Sequence, residues 1–169
     1  MKSNNTQFYH LSRQEKRREQ YRYAAKALLD RMQRDKVRLL GVTASQTDRV
    51  YSQQAFLLLA RELSALDPKT KVLVLDEPTV EAPAGVNAVW GRADPKWLKE
   101  RPELLEEETI LLVYLPPVHL FVNSLDCLSL CQGAVLLERY GYTPYHGFEE
   151  TLWKLKERHL PVLGIVAGK

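Results

Sequence analysis

Short, nearly continuous apolar runs at residues 37–42, 71–75, 109–115, 134–138 and 162–166 constrain this chain more than any other feature. A strand buried on both faces reads this way, because neither set of alternating side chains meets water. Between the runs lie segments with helical spacing. Tyr21, Ala25, Leu28 and Met32 share one face of a predicted helix over 12–34. Ala55, Leu59 and Leu63 do so over 52–65, and Phe148, Leu152 and Leu155 over 147–159. Residues 95–107 predict a helix broken at Pro102, 123–131 a further helix, and 86–90 a short strand within a proline- and glycine-rich loop. Strands alternating with helices predict βαβ units, right-handed crossovers and a parallel sheet covered on both faces. The expected fold is a three-layer α/β/α domain with a mainly parallel, doubly wound sheet over 12–169, preceded by a disordered lead over 1–11.

The chain has 169 residues, enough for a full core. No apolar run approaches the roughly 20 residues that span a bilayer, and the polar start Met1-Lys2-Ser3-Asn4-Asn5 lacks a signal-peptide core. The expected location is therefore cytoplasmic. The net charge of +3 hides an uneven distribution. Arg13, Lys16, Arg17, Arg18, Arg22 and Lys26 crowd the first helix, and Glu100, Glu103, Glu106, Glu107 and Glu108 crowd the middle. A basic helix can meet nucleic acid or an anionic surface, but no base-reading motif accompanies it, and no nucleic-acid partner is expected. Cys127 and Cys131 are spaced for neither a zinc knuckle nor a C-x-x-C redox pair; buried free thiols are expected, and no metal site.

The run at 37–42 leads into Thr43-Ala44-Ser45-Gln46-Thr47-Asp48-Arg49-Val50-Tyr51-Ser52 and then a helix, the order of a phosphate-binding P-loop. Such a loop needs glycines so that successive N–H groups turn inward, and a lysine to meet the phosphate charge. This loop has neither. Arg49, Val50 and Tyr51 are expected to fill the space, and Asp48 to add negative charge beside it.

The order of elements resembles the cytoplasmic tyrosine-kinase domain of bacterial capsule and exopolysaccharide synthesis (BY-kinases) and, more distantly, the Min/Par-type P-loop ATPases. The resemblance rests on Glu19-Gln20-Tyr21-Arg22 in the first helix, residues 37–43 before the loop, and Val72-Leu73-Val74-Leu75-Asp76. Leu115-Pro116-Pro117-Val118 after the third long run, Gly133-Ala134-Val135-Leu136-Leu137 and Pro161-Val162-Leu163-Gly164-Ile165-Val166 complete it. It implies a P-loop NTPase-like fold. It also places the family's phosphate-binding lysine at Tyr51 or Ser52 and its magnesium-ordering aspartate at Tyr114, a poor ligand for that hard cation. Asp76 keeps its acid, and is expected to pair with Arg49 or cap a loop. Asp48, Tyr51, Ser52, Asp76 and Tyr114 thus mark a vestigial site with no catalytic residue and no cofactor, with Tyr114 and Tyr51 filling the cleft from either side. No tyrosine-rich tail follows the last predicted strand.

What the resemblance then implies is a catalytically inactive binding module, peripheral to the inner face of the membrane, that scaffolds or regulates polysaccharide synthesis and export. Its partner would be the cytoplasmic part of a membrane polysaccharide co-polymerase or chain-length regulator. A related active kinase and self-association stand as further partners. Candidate contact residues are Glu19, Arg22 and Lys26, which half match the family's ring-forming pattern, and Tyr140, Tyr142 and Tyr145 on a loop after a strand. The alternative is a nucleotide-binding Min/Par-type switch with an unconventional site.

Overall fold

The computed structural model describes residues 9–105 and 108–168. Most of the expected lead, Glu106, Glu107 and the chain end at Lys169 lie outside the described residues. Helix α1 (Arg13–Asp35) opens with a capping box between Ser12 and Glu15, whose side chains each accept from the other's backbone N–H. It closes at Lys36, in the left-handed region at φ 56°. The sheet then builds through β1 (Leu39–Thr43), β2 (Lys71–Val74), β3 (Ala88–Trp90), β4 (Leu111–Tyr114), β5 (Gly133–Arg139) and β6 (Val162–Gly168). Its spatial order is β3-β2-β4-β1-β5-β6, and every pairing is parallel. The expected doubly wound sheet is therefore observed.

Alternation along the strands divides the core into two layers. Leu40, Val42, Val72, Val74, Leu112 and Tyr114 pack under α1 and α2 (Arg49–Leu66). Leu73, Leu75, Leu111, Val113 and Leu136 pack under the helices of the other face. Those are α3 (Pro95–Lys99), α4 (Val122–Leu128) and α5 (Tyr145–Glu157). A 3₁₀ turn at Pro102–Leu105 follows α3, so Pro102 does interrupt that segment. Gly41 lets α4 close on β1: a Cβ there would lie 2.0 Å from Leu128 Cδ1 and 3.1 Å from Cys131 Sγ.

Cys127 and Cys131 are free and buried, and burial pushes both thiols up to about 12. Only a thiolate attacks an alkylating agent. The native protein should therefore stay unlabelled by iodoacetamide at pH 8, and take up label at both cysteines once unfolded in guanidinium. Rapid labelling of the native protein would contradict this packing.

Candidate functional site

In open parallel sheets, ligands bind beyond the carboxyl ends of strands where the winding direction reverses. Here β1 connects through α2 to β2 on one side, while β4 connects through α4 to β5 on the other. The carboxyl ends of β1, β2 and β4 surround a cleft of about 350 Å³, walled by Gln46, Ser52, Asp76, Tyr114, Pro116 and Phe121.

The loop from β1 to α2 is shorter than expected, because α2 begins at Arg49 rather than near Ser52. Asp48 is the reason. Its carboxylate accepts from Tyr51 N–H at 3.1 Å and caps the helix, and its other oxygen meets Arg139 at 3.4 Å. Asp48 is thus turned towards Arg139 and is absent from the cleft wall. Several other donors of the loop have acceptors within the protein. Ser45 N–H donates to Glu138 at 3.0 Å, and its hydroxyl donates to the same carboxylate oxygen. Asp48 N–H donates to Gln46 Oε1 at 2.6 Å, and Gln46 Nε2 donates to Ser52 Oγ at 2.5 Å.

The expectation that Arg49, Val50 and Tyr51 together fill the loop's space needs correction. They form the first turn of α2, and of the three only Arg49 lines the cleft. Val50 is half exposed. Tyr51 does not fill the cleft opposite Tyr114; its ring turns towards β6, where a Cβ on Gly168 would lie 2.2 Å from the Tyr51 hydroxyl. Arg139 lies over that ring at 4.9 Å and over Tyr142 at 3.9 Å. Helical rotation decides this: residue 51 falls on the α2 face that meets α1 and the sheet end.

Tyr114, by contrast, stands at the floor of the cleft. It is 1% exposed, packs on Phe56 with ring centroids 5.5 Å apart, and lies beside Ser52. Burial, reinforced by the neighbouring Asp76 charge, holds its phenol well above the ordinary range, so it remains protonated. Asp76 pairs with Arg49 Nε at 3.3 Å. It also accepts from Gln53 Nε2 at 3.0 Å and from Glu77 N–H at 2.9 Å. Arg49 reaches Glu77 as well, at 3.6 Å. Among the described residues no cluster of histidine, cysteine, aspartate and glutamate could hold a metal ion.

Two residues that the sequence reading passed over organise the site. Glu138, at the end of β5, is 6% exposed and ties Ser45 to Thr143, whose hydroxyl donates to it at 2.8 Å. Gln53, fully buried, donates to Asp76 and Glu77 and accepts from both the N–H and the hydroxyl of Thr79, at 2.9 and 2.7 Å. The available signal was a lone polar residue at the end of an apolar strand, or inside an apolar helix face.

The other candidates lie apart from the cleft. Glu19 and Arg22 form an i, i+3 pair at 2.9 Å, and Arg22 and Arg18 both reach Glu62 of α2, at 3.7 and 3.6 Å. Lys26 is exposed on the same helix. Tyr140, Tyr142 and Tyr145 are exposed around the turn from β5 to α5, at the carboxyl edge of the sheet. His119 is half-buried against Thr151, 3.3 Å away, while His146 and His159 are exposed.

A six-stranded parallel sheet between helical layers, with its cleft at the switch point, defines a doubly wound α/β domain. No family model matches the sequence, and no curated protein matches it. Among solved structures, it is similar to a BceF tyrosine kinase domain, with a TM-score of 0.67 and 15% identity over 89% of this chain and 76% of that one. It is also similar to the chimerical protein CapA2B2, with a TM-score of 0.69 and 12% identity over 89% and 83% of the two chains. At such identities the likeness is one of fold, and the resemblance drawn from the sequence holds at that level.

Proposed function

We propose that this chain is a kinase-fold binding module that transfers no phosphate. In this reading it scaffolds or regulates exopolysaccharide or capsule assembly from the cytoplasmic side, through a membrane polysaccharide co-polymerase or chain-length regulator. One observation supports the loss of catalysis: several of the donors around the loop already have acceptors within the protein. Ser45 and Asp48 N–H groups are engaged by Glu138 and Gln46. Arg49, the cation at the cleft, is paired with Asp76 and Glu77. Phosphoryl transfer rests on positioning and on charge stabilisation by cations, and a phenol at Tyr114 offers neither. No helix among the described residues is long and apolar enough to cross a membrane. The exposed tyrosines around the β5–α5 turn supply the aromatic surface that protein interfaces favour.

Calorimetric titration with ATP or ADP and Mg²⁺ tests this reading. The expected dissociation constant is weaker than about 1 mM, corresponding to less than about 4 kcal/mol of binding free energy. A micromolar constant would overturn the proposal in favour of a nucleotide-dependent switch. Transfer of the γ-phosphate to any tyrosine would overturn it in favour of a kinase.

A further inference from the structure

The two edges of the sheet differ. β3 is three residues long and follows a loop containing Pro78 and Pro83. β6 runs for seven residues, Val162–Gly168, with neither a charge nor a proline. Monomeric proteins ordinarily shorten, charge or cover such an edge, because its unpaired backbone groups template another strand. In a parallel ladder, a residue points its N–H and C=O to the same side. Tyr140 N–H donates to Gly168 O, so Gly164, Val166 and Gly168 face β5, and Ile165 and Ala167 point away from it. Leu163 O, on the outer side, accepts from Arg31 at 3.0 Å. The outward groups of Ile165 and Ala167 have no hydrogen-bond partner among the described residues, and Ile165 is 49% exposed.

Helix α5 continues this surface. With fully buried Leu155 as the inward direction, the 100° turn per residue sends Thr151 and Arg158 towards α4. There Arg158 pairs with Asp126 at 3.2 Å, and Thr151 meets His119. The opposite flank, beside β6, carries Glu149, Leu152, Trp153 and Lys156. Trp153 is 60% exposed, and Glu149 and Lys156 are exposed without an ion pair among the described residues.

We propose that β6 is a self-association edge, at which two copies of this chain pair their β6 strands antiparallel about a two-fold axis through Ile165. That axis sets Ile165 opposite itself, where the two residues exchange both N–H···O=C bonds, and sets Ala167 N–H opposite Leu163 O of the second copy. The α5 helices then lie antiparallel, centred between Leu152 and Trp153. Glu149 meets Lys156 of the second copy, the symmetric contact meets Lys156 with Glu149, and the Trp153 rings cover the seam. Opposite charges placed equally on either side of one point match their own rotated copy, which is the requirement of an isologous interface. This pattern selects a second copy over an unrelated strand. The inference does not depend on the cleft or on its loss of chemistry.

Sedimentation velocity on the full chain over a concentration series tests it. The expected result is a monomer–dimer equilibrium in which Ile165→Lys raises the dissociation constant at least about 30-fold by placing like charges on the seam. Melting should be nearly unchanged, since this side chain is half exposed. Glu149→Lys and Lys156→Glu should each weaken dimerisation about tenfold, and the double swap should restore it. A chain that stays monomeric up to about 100 μM, a dimer unaffected by Ile165→Lys, or a double swap no better than the singles would overturn the proposal. So would pairing of β6 with a strand of another protein and not with itself.

Discussion

Tyr114→Asp, which puts an acid where the sequence resemblance implies a magnesium-ordering aspartate, is expected to cripple folding. The ring is 1% exposed and packed on Phe56, and the new carboxylate would be buried beside Asp76. Losing the ring and burying an unpaired charge should cost about 4 kcal/mol or more, a large part of a domain's usual stability. Thermal melting at pH 7 should fall by about 10 °C or more, or show no cooperative transition. Tyr114→Phe, which keeps the ring and loses only the hydroxyl beside Ser52, should cost about 1 kcal/mol or less. A Tyr114→Asp protein that melts like the parent would show that the ring is not part of the core. Rescue of that variant by Mg²⁺ and ATP would argue for a latent nucleotide site.

Glu138 should produce the second large effect, with a distinctive pH dependence. Burial pushes its carboxyl above the ordinary glutamate range, opposed by the hydrogen bonds from Ser45 and Thr143. The native state therefore holds this proton more tightly than the unfolded chain does. Its contribution to stability is complete below the unfolded value near pH 4.5 and declines as pH rises through the raised folded value. Glu138→Gln keeps an acceptor for Ser45 and removes the titrating group. It should flatten that part of the stability curve and cost less than about 1 kcal/mol at pH 7. Glu138→Ala leaves Ser45 N–H and its hydroxyl buried without an acceptor, and should cost about 2–4 kcal/mol. Urea unfolding of the three proteins between pH 4 and 8 reads both effects. Parallel curves for the parent and Glu138→Gln would show that Glu138 does not titrate in this window.

The central strands β1, β2, β4 and β5 were legible in the sequence, because parallel strands buried on both faces leave nearly continuous apolar runs. The helices followed from their apolar spacing. The Arg49–Asp76 pair was also legible, since Arg49 follows β1, Asp76 follows β2, and both strands end at one edge of the sheet. The start of α2 was not. Asp48 reads equally as a charge facing the cleft or as a helix cap, and only the backbone N–H of Tyr51 decides between them. The direction of Tyr51 depends on Gly168, at the far end of the chain, and on strand neighbours that no local pattern announces. Glu138 was hidden for the same reason. Its role follows from β5 lying beside β1, a fact of sheet order rather than of residue spacing.

Gln53 carries a consequence for how such a protein could be controlled. Its amide uses its two donors and its acceptor oxygen to rivet Asp76, Glu77 and Thr79 to α2. Nucleotide-driven machines work by letting loops beside the phosphates settle and release with each turnover. A loop riveted in this way must break those hydrogen bonds before it can move. Under the proposed function, control through such a surface would then rest on dosage, the number of copies made and where they gather, and not on a chemical clock.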